Sequence, residues 1–358
     1  MKILILKVQT IGDTLLISSL IDNLKGYFKD ARIDILVNEG TEDVLRHNPN
    51  IDELIVYSRE KGRSLSKFER FIDNYSLLKR IRMSKYDLLI DLDEGDRGAF
   101  ISLISSAKQK IGSSSIKSNF LRNRYTHLLK KDSTKHIVET NLEPLAILNI
   151  PIITKKVNFF WSQDDENKIM KELKDIKQYI HIHPFSRGWF KDLNIETTAK
   201  IIDYCEIKLN KRVVITSSPD QNEQRKLSQI VNLCNSSPIS FSGNLSLTEI
   251  GALNKKAILF IGVDTAIMHI SAANNTPTLA FFGPTSPQTW GPWNNYLENG
   301  LYHRNGGVQF NGIHRVISEK KECMPCNNEG CNNSQVSDCL VKLNIEDIFS
   351  NIEEMLKL

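Results

Sequence analysis

The clearest chemical pattern in the chain lies in its second half, where an apolar run ends in polar residues. Residues 257–261 predict a buried strand, and Asp264, Thr265 and Ala266 follow at the start of a predicted helix. A helix N-terminus binds phosphate because its N–H groups and its dipole both favour an anion. His269 lies one helical turn after Thr265, on the same face. The segment is a candidate phosphate site, although Thr265 as a helix cap and His269 as a packing residue explain the same pattern.

Two further loops follow predicted strands in this half and carry donors, cations and glycine. The carboxyl ends of parallel strands meet at one edge of a sheet, so these loops are expected beside the first. Two cations among them suit a diphosphate better than a neutral ligand. The residues concerned are Ser186, Arg187 and Lys191 in one loop, and Gly283, Pro284 and Thr285 in the other.

The first half has a comparable position after its first strand. Gly12 and Asp13 lie where a strand ending at Val8 turns into a helix, the usual place for chemistry in α/β folds. Asp13 as a simple helix cap accounts for the spacing equally well. The glycine-rich G-x-G-x-x-G fingerprint is absent here, which disfavours a plain NAD-dependent dehydrogenase.

Strand and helix patterns alternate along the whole chain and predict the elements that must position these residues. The alternation predicts an α/β fold with parallel sheets. It runs through the first half, is interrupted near residues 149–154, and restarts with a strand at residues 179–183. A length of 358 residues suits two domains. Two tandem Rossmann-like units predict a central cleft in which ligands bind.

Charge and hydropathy limit the classes of protein to which the chain can belong. The net charge is +4, and residues 108–135 hold eight Lys or Arg against one Asp. This basic segment could face an anionic partner or could simply be solvated surface, and both interpretations stay open. The basic segments lack interleaved aromatics, which disfavours nucleic acid. The apolar runs predict neither a signal peptide nor a membrane span. We therefore expect a cytoplasmic protein, at most peripheral to a membrane.

The order of these motifs resembles glycosyltransferase family 9, the ADP-heptose:lipopolysaccharide heptosyltransferases, and most of all the heptosyltransferase III branch. The resemblance covers nearly the whole chain. It implies a GT-B fold, with two Rossmann-like domains whose parallel sheets face a central cleft. Residues 1–160 would bind the acceptor, residues 161–340 the nucleotide sugar, and residues 341–358 would form a helix packing back toward the N-terminal domain. The matching motifs lie at residues 11–13, 86–92, 183–184, 241–243, 264–269 and 282–285.

The resemblance also implies a role for individual residues. Asp13 would be the general base that deprotonates the acceptor hydroxyl, and Lys191 would neutralise the leaving diphosphate. The chain departs from the usual family pattern immediately after Lys191, where Asp192 and Leu193 follow. The expected donor-binding residues are Ser186, Arg187, Glu223, Gly243, Asp264, Thr265, Ala266, His269, Gly283, Pro284 and Thr285. The expected acceptor-binding residues are Gly12, Thr14, Arg59, Arg63, Lys117 and Arg122.

The implied reaction is transfer of heptose, with inversion and without a catalytic metal, from ADP-L-glycero-D-manno-heptose to the inner core of lipopolysaccharide or lipooligosaccharide. The expected partners are the nucleotide-sugar donor and a lipid-linked oligosaccharide at the inner face of the cytoplasmic membrane, with the enzyme acting as a monomer. Two alternatives stay open: a GT-B transferase that uses another nucleotide sugar, and a non-catalytic protein that binds one.

Six cysteines complete the candidate list. Cys205 and Cys234 fall on helical patterns and are expected to be buried. The other four form a C-x2-C-x4-C-x7-C cluster after the donor motifs. Such a cluster can hold a structural zinc, form a redox-labile pair or remain reduced. The candidate zinc ligands are Cys323, Cys326, Cys331 and Cys339.

Overall fold

A computed structural model of the chain describes residues 1–57, 67–130, 132–174, 176–304 and 306–357, with the backbone alone for residues 67–74. The chain forms two compact units, Met1–Phe160 and Trp161–Leu358. Each unit is built on its own sheet, so each is described separately.

The N-terminal unit contains a six-stranded sheet in the order β3-β2-β1-β4-β5-β6, with every pair parallel. The central strand β1 is apolar along its length because helices cover both faces of a parallel sheet, and Ile3, Leu4, Ile5 and Leu6 are fully buried. The strands are β1 Lys2–Lys7, β2 Arg32–Asn38, β3 Glu53–Tyr57, β4 Leu88–Asp91, β5 Gln109–Ser113 and β6 His127–Leu129.

The helix predicted after the first strand is two helices in the structure. The break falls at Leu16, whose carbonyl accepts a hydrogen bond from the Asn141 side chain at 3.1 Å instead of continuing the helical ladder. This separates the turn that carries Asp13 from the longer helix behind it. The helices of this unit are α1 Ile11–Leu15, α2 Ser18–Tyr27, α3 Lys67–Met83, α4 Asp96–Ile104, α5 Asn119–Arg122 and α6 Ile137–Ile147.

The C-terminal unit contains a seven-stranded sheet in the order β12-β13-β11-β10-β7-β8-β9. All pairs are parallel except β12 and β13, which form an antiparallel hairpin. Gly312, with φ of +59°, lies in the hairpin turn, where a left-handed backbone favours glycine. The strands are β7 Ile180–His183, β8 Val213–Ser217, β9 Ile239–Ser242, β10 Leu259–Val263, β11 Thr278–Phe282, β12 Gly307–Asn311 and β13 His314–Ser318.

Helices cover both faces of this sheet. They are α7 Gln163–Leu173, α8 Ile195–Asp203, α9 Gln221–Leu233, α10 Leu247–Lys256, α11 Ala266–Ala273, α12 Pro287–Trp290, α13 Asp338–Val341 and α14 Ile345–Met355. Among the residues described, no helix has both the length and the apolar character needed to cross a bilayer.

The C-terminal helix α14 packs within the C-terminal unit. Ile348, Ile352 and Met355 form one buried face and join the same apolar cluster as the strands of that sheet. Phe349 stacks on Tyr204 with ring centres 3.8 Å apart. The apolar face of the helix is therefore buried within its own unit, and the packing of residues 341–358 toward the N-terminal domain stays a prediction.

Candidate functional site

Three loops of the C-terminal unit converge on Asp264. Lys191 Nζ donates to the Asp264 carbonyl at 2.9 Å and pairs with its Oδ2 at 3.1 Å, while Thr285 Oγ1 donates to the same Oδ2 at 2.8 Å. Side-chain exposure is 21% for Lys191 and 8% for Asp264. These loops follow β7, β10 and β11, which are adjacent in the sheet. The structure thus brings together the three segments that the sequence singled out.

The loop after β10 ends in a capped helix. Thr265 occupies the N-cap position, and its side chain accepts a hydrogen bond from the Ile267 N–H at 3.0 Å. Ala266 is the first residue of α11, and His269 is buried one turn further on, with its N–H bonded to the Thr265 carbonyl at 3.3 Å. The capping role weighed for Thr265 is therefore confirmed, and it leaves the helix terminus beside Lys191 and Asp264.

The loop after β7 is held by side-chain contacts within itself. Ser186 Oγ accepts from the Gly188 N–H at 3.2 Å, and the Ser186 N–H donates to Asp192 Oδ1 at 2.7 Å. Residues Trp189–Lys191 form one turn of 3-10 helix, while Arg187 is exposed. Asp192, which the sequence marked only as a departure from the family, is thus part of the framework of this loop.

Glu223 and Gly243 meet at the loop after β8. The buried Glu223 carboxylate accepts a hydrogen bond from the Ser218 N–H at 2.8 Å. Gly243 has φ of +71°, and a Cβ there would lie 2.7 Å from Pro219 Cα and from the Ser218 carbonyl oxygen. Gly243 is therefore required by packing against this loop, next to the residue that holds Glu223.

Gly283 and Pro284 contact the C-terminal segment of the chain. A Cβ on Gly283 would lie 2.8 Å from Leu340 Cδ1, and the Pro284 carbonyl accepts from the Asn327 N–H at 2.9 Å. Both positions serve the packing of the chain's C-terminal segment. Of the three residues expected in this turn, Thr285 is the one that contacts Asp264.

Two histidines in β7 are internal to the sheet. His181 and His183 both contact the Thr216 hydroxyl, at 2.8 and 2.9 Å. Burial lowers the pKa of His181 to about 4 and that of His183 to about 3. Both are therefore neutral near pH 7, and the His183 motif position is structural rather than a cation for a phosphate.

In the N-terminal unit, Asp13 lies in the first turn of α1. The N-cap position belongs to Thr10, whose hydroxyl donates to Asp13 Oδ2 at 2.6 Å. Gly12 and Thr14 are buried on either side, and Thr14 Oγ1 donates to the Thr10 carbonyl at 2.9 Å. Asp13 is thus not the residue that caps the helix, and its half-exposed carboxylate is oriented by Thr10.

A buried charged cluster lies at the strand ends that support this turn. Asp93 accepts hydrogen bonds from the Val8 N–H on both oxygens, at 2.9 and 3.0 Å, and its own N–H donates to Asp91 Oδ1 at 2.9 Å. The Tyr125 hydroxyl donates to the other Asp91 oxygen. Burial lowers the pKa of Lys7 and raises the pKa of both Asp91 and Asp93.

Sequence reasoning missed this cluster, although a signal was present. Charged residues end two otherwise apolar strand patterns, Lys7 in β1 and Asp91 in β4. β1 and β4 are neighbours in the sheet, so paired opposite charges at both strand ends predict a buried contact.

The expected acceptor residues are only partly described. Arg59 and Arg63 lie outside the described residues. Arg122 Nη1 donates to the Ile116 carbonyl at 3.0 Å, and its other nitrogen donates to Asn119, so this guanidinium fastens its own loop. Lys117, in that loop, is exposed.

The cysteines do not form the zinc site that the sequence left open. All six are free thiols; Cys205 is buried and Cys234 half-buried. Within the described parts of the chain, no three His, Cys, Asp or Glu side chains are grouped so that they could hold a metal. Cys339 is buried beside Gly283, where burial raises the pKa of its thiol to about 11, whereas Cys323 and Cys331 are exposed.

Comparison with known proteins identifies the family. The profile of glycosyltransferase family 9 (heptosyltransferase) matches residues 74–312. Lipopolysaccharide heptosyltransferase 3 of Escherichia coli is 32% identical over 292 residues, which cover 80% of this chain and 84% of the relative.

Solved structures share the fold over nearly all of both chains. A family 9 glycosyl transferase from Veillonella parvula superposes with a TM-score of 0.82 at 19% identity, covering 99% of this chain and 97% of that one. The E. coli heptosyltransferase WaaC, solved with ADP, gives a TM-score of 0.75 at 15% identity and covers 99% and 100%. The predicted GT-B fold, with two Rossmann-like α/β units, is confirmed. The chain therefore belongs to glycosyltransferase family 9, the heptosyltransferases.

Proposed function

We propose that this protein transfers a heptose from ADP-L-glycero-D-manno-heptose to the inner core of lipopolysaccharide or lipooligosaccharide. The observation that carries the proposal is the convergence of Lys191, Asp264 and Thr285 at the carboxyl ends of three adjacent parallel strands. Ligands of open α/β sheets bind at such edges. The names of the relatives that cover most of the chain support heptose as the sugar and lipopolysaccharide core as the acceptor.

The donor diphosphate would lie along the loops after β7 and β10. Lys191 carries the positive charge, and α11 begins at Ala266 beside it. The Arg187 guanidinium is exposed in the same loop as Lys191 and adds a second cation. Asp264 offers carboxylate oxygens to the hydroxyls of the sugar. Because the diphosphate charge would be met by cations and helix N–H groups, the proposed reaction uses no divalent metal.

The proposed chemical step is a single displacement with inversion. Asp13 takes the proton of the acceptor hydroxyl as that oxygen attacks the anomeric carbon from the face opposite the diphosphate. The bond from the anomeric carbon to the phosphate oxygen breaks, and its electron pair leaves with ADP. Lys191 stabilises the charge that grows on the departing diphosphate. The Thr10 hydroxyl holds Asp13 in place through its 2.6 Å hydrogen bond.

The acceptor is proposed to meet the basic N-terminal unit at the cytoplasmic face of the inner membrane. Residues 108–135 carry eight cations against one Asp, which favours a phosphorylated oligosaccharide on a lipid anchor. Lys117 is exposed in this segment. Arg59 and Arg63 stay candidates from the sequence, and the protein is proposed to work as a monomer.

Calorimetric titration with ADP, UDP and GDP tests the donor class. We expect wild-type protein to bind ADP selectively, Lys191→Ala to weaken that binding, and Asp13→Asn to leave it unchanged. Preference for UDP or GDP, or no binding of any of the three, would overturn the assignment of ADP-heptose as donor.

A further inference from the structure

An ion pair with a buried carboxylate links the turn that carries Lys191 to the helix beside it. Asp192 Oδ2 pairs with Lys226 Nζ at 2.6 Å, with side-chain exposures of 8% and 26%. The other Asp192 oxygen accepts from the Ser186 N–H at 2.7 Å. The Lys226 ammonium also lies 5.6 Å from the centre of the Trp189 ring, within cation–π range. The Asp192 carboxylate thus binds the backbone at Ser186, where the loop begins, and the Lys226 ammonium lies beside Trp189, where the 3-10 turn begins.

The pair lies between two groups of candidate donor residues. On one side, Lys191 contacts Asp264 in the loop after β10. On the other, Lys226 is on α9, one turn after Glu223, whose carboxylate accepts from the Ser218 N–H in the loop after β8. The Asp192–Lys226 contact therefore joins the loop after β7 to the helix that follows β8.

We propose that the Asp192–Lys226 ion pair, here called the donor tether, is a positioning element that sets the spacing between Lys191 and Glu223 for the nucleotide of the donor. This inference rests on the proposed function of the loops as a nucleotide-sugar site. In that arrangement the diphosphate contacts the Lys191 side and the nucleoside contacts the Glu223 side, so one ligand spans the tether.

The energetics of burial explain why loss of either partner matters. A carboxylate as buried as Asp192 is stable as an anion only with a nearby cation and hydrogen bonds. Without Lys226, Asp192 must either move toward water or take up a proton, and in both cases its hold on the turn that carries Ser186 and Lys191 is weakened. A displacement of about 1 Å in a preorganised active site can cost about 100-fold in rate. We expect a loss of about tenfold in ADP affinity, because the remaining contacts of the turn hold part of its position.

The same unit offers a matched control at the other end of the sheet. Arg212 Nη1 pairs with Glu206 Oε1 at 3.0 Å, and the Glu206 side chain is 6% exposed. As in the donor tether, the carboxylate also accepts a backbone N–H, from Val213 at 3.0 Å. Arg212 precedes the amino end of β8, away from the loops at the carboxyl ends. Its loss tests stability without altering the spacing of the loops after β7, β8 and β10, here called the donor loops after their proposed ligand.

The experiment measures the dissociation constant for ADP and the thermal midpoint of four proteins: wild type, Lys226→Met, Lys226→Arg and Arg212→Met. We expect Lys226→Met to raise the ADP dissociation constant about tenfold and Lys226→Arg to restore most of the affinity. Arg212→Met should lower the thermal midpoint while its ADP affinity stays that of wild type. If Lys226→Met is too unstable to titrate, the Asp192→Asn/Lys226→Met double variant, which removes both charges of the pair, is judged by the same criterion.

Each result decides between the two proposals. If wild type binds ADP and Lys226→Met binds it equally well, the donor tether is only a structural ion pair and this inference is wrong. An equal loss of ADP affinity in Arg212→Met would also overturn it, since general destabilisation would then explain the effect. If wild type itself fails to bind ADP, the proposed donor is wrong.

Discussion

The donor loops of the C-terminal unit and the Asp13 turn of the N-terminal unit arrange their charges in opposite ways. In the donor loops, partly exposed cations pair with buried carboxylates, as in Lys191 with Asp264 and Lys226 with Asp192. In the N-terminal unit, the cation Lys7 is buried at the strand ends with Asp91 and Asp93, while Asp13 is half-exposed.

This difference matches the two tasks in the proposed reaction. A diphosphate binds to positive groups held in fixed positions, so the cations of the donor loops are reachable and their partners are rigid. A general base has to reach the acceptor hydroxyl, so its carboxylate stays accessible. It is oriented by Thr10, and the buried Asp93 holds the backbone of Val8 before the turn. Variants that affect only one region should therefore separate binding from chemistry.

The largest expected effect is that of Asp13→Asn. Removing a general base costs about 10²- to 10⁴-fold, and we expect a fall in kcat of about 10³-fold. ADP affinity should not change, because Asp13 lies in the other unit from the donor loops. Steady-state kinetics and calorimetry on one preparation measure both, and a kcat close to that of wild type would remove Asp13 from the mechanism.

Lys191→Met should affect both binding and chemistry. Loss of one preorganised charged donor costs about 10²- to 10³-fold in rate, and we expect kcat/KM for the donor to fall about 100-fold. Lys191→Arg keeps the charge and should retain more activity than the methionine variant. Equal activity of the two variants would show that charge at this position is not used.

Asp93→Asn tests whether the hydrogen bonds from the Val8 N–H to Asp93 hold the turn that carries Asp13. Asparagine has one carbonyl oxygen and cannot accept the Val8 N–H on two oxygens, so the turn should loosen and kcat should fall about tenfold with ADP affinity intact. Asp34→Asn is the matched control, because Asp34 is equally buried in the same sheet and accepts from Tyr86 Oη at 2.9 Å. Asp34→Asn should destabilise the fold without lowering kcat; similar losses in both variants would contradict a specific role for Asp93.

The smallest expected effect is that the contribution of the donor tether to ADP affinity depends on pH. Burial raises the pKa of Asp192 to about 6, although Lys226 and the Ser186 N–H oppose that rise, whereas the charge of Glu223 adds to it. Below about pH 6 the carboxyl is protonated and the ion pair is lost, so wild type should come to resemble Asp192→Asn. The ratio of the two ADP dissociation constants should be several-fold at pH 8 and close to one at pH 5. A ratio that stays constant over this range would contradict titration of Asp192.

The alternation of apolar strand and helix patterns was sufficient to predict a parallel sheet in each half of the chain, because most buried strands are followed by a helix. It did not predict β5, β6 or the β12–β13 hairpin, whose edge strand exposes Val308 and Phe310. The pattern also leaves the partner of α14 open, since an apolar helix face indicates that the helix is buried but not against which sheet.

The candidate site could be predicted where the chain itself places residues at a strand end. Asp264, Thr265 and Lys191 have that local signal. Lys226 does not, because its partner Asp192 is 34 residues away and a lysine on an amphipathic helix resembles any solvated residue. Gly283 shows the converse, since a glycine in a strand-end turn that suggested a ligand is explained by packing against Leu340.

The most direct test of the account is transfer of heptose itself. Wild type and Asp13→Asn are incubated with ADP-heptose and a phosphorylated core acceptor that lacks this heptose, and the products are analysed by mass spectrometry together with released ADP. The account predicts that wild type adds one heptose for each ADP released, and that Asp13→Asn forms almost no product although it binds ADP normally. Transfer by Asp13→Asn at the wild-type rate, or transfer by wild type from a UDP-sugar but not from ADP-heptose, would contradict it.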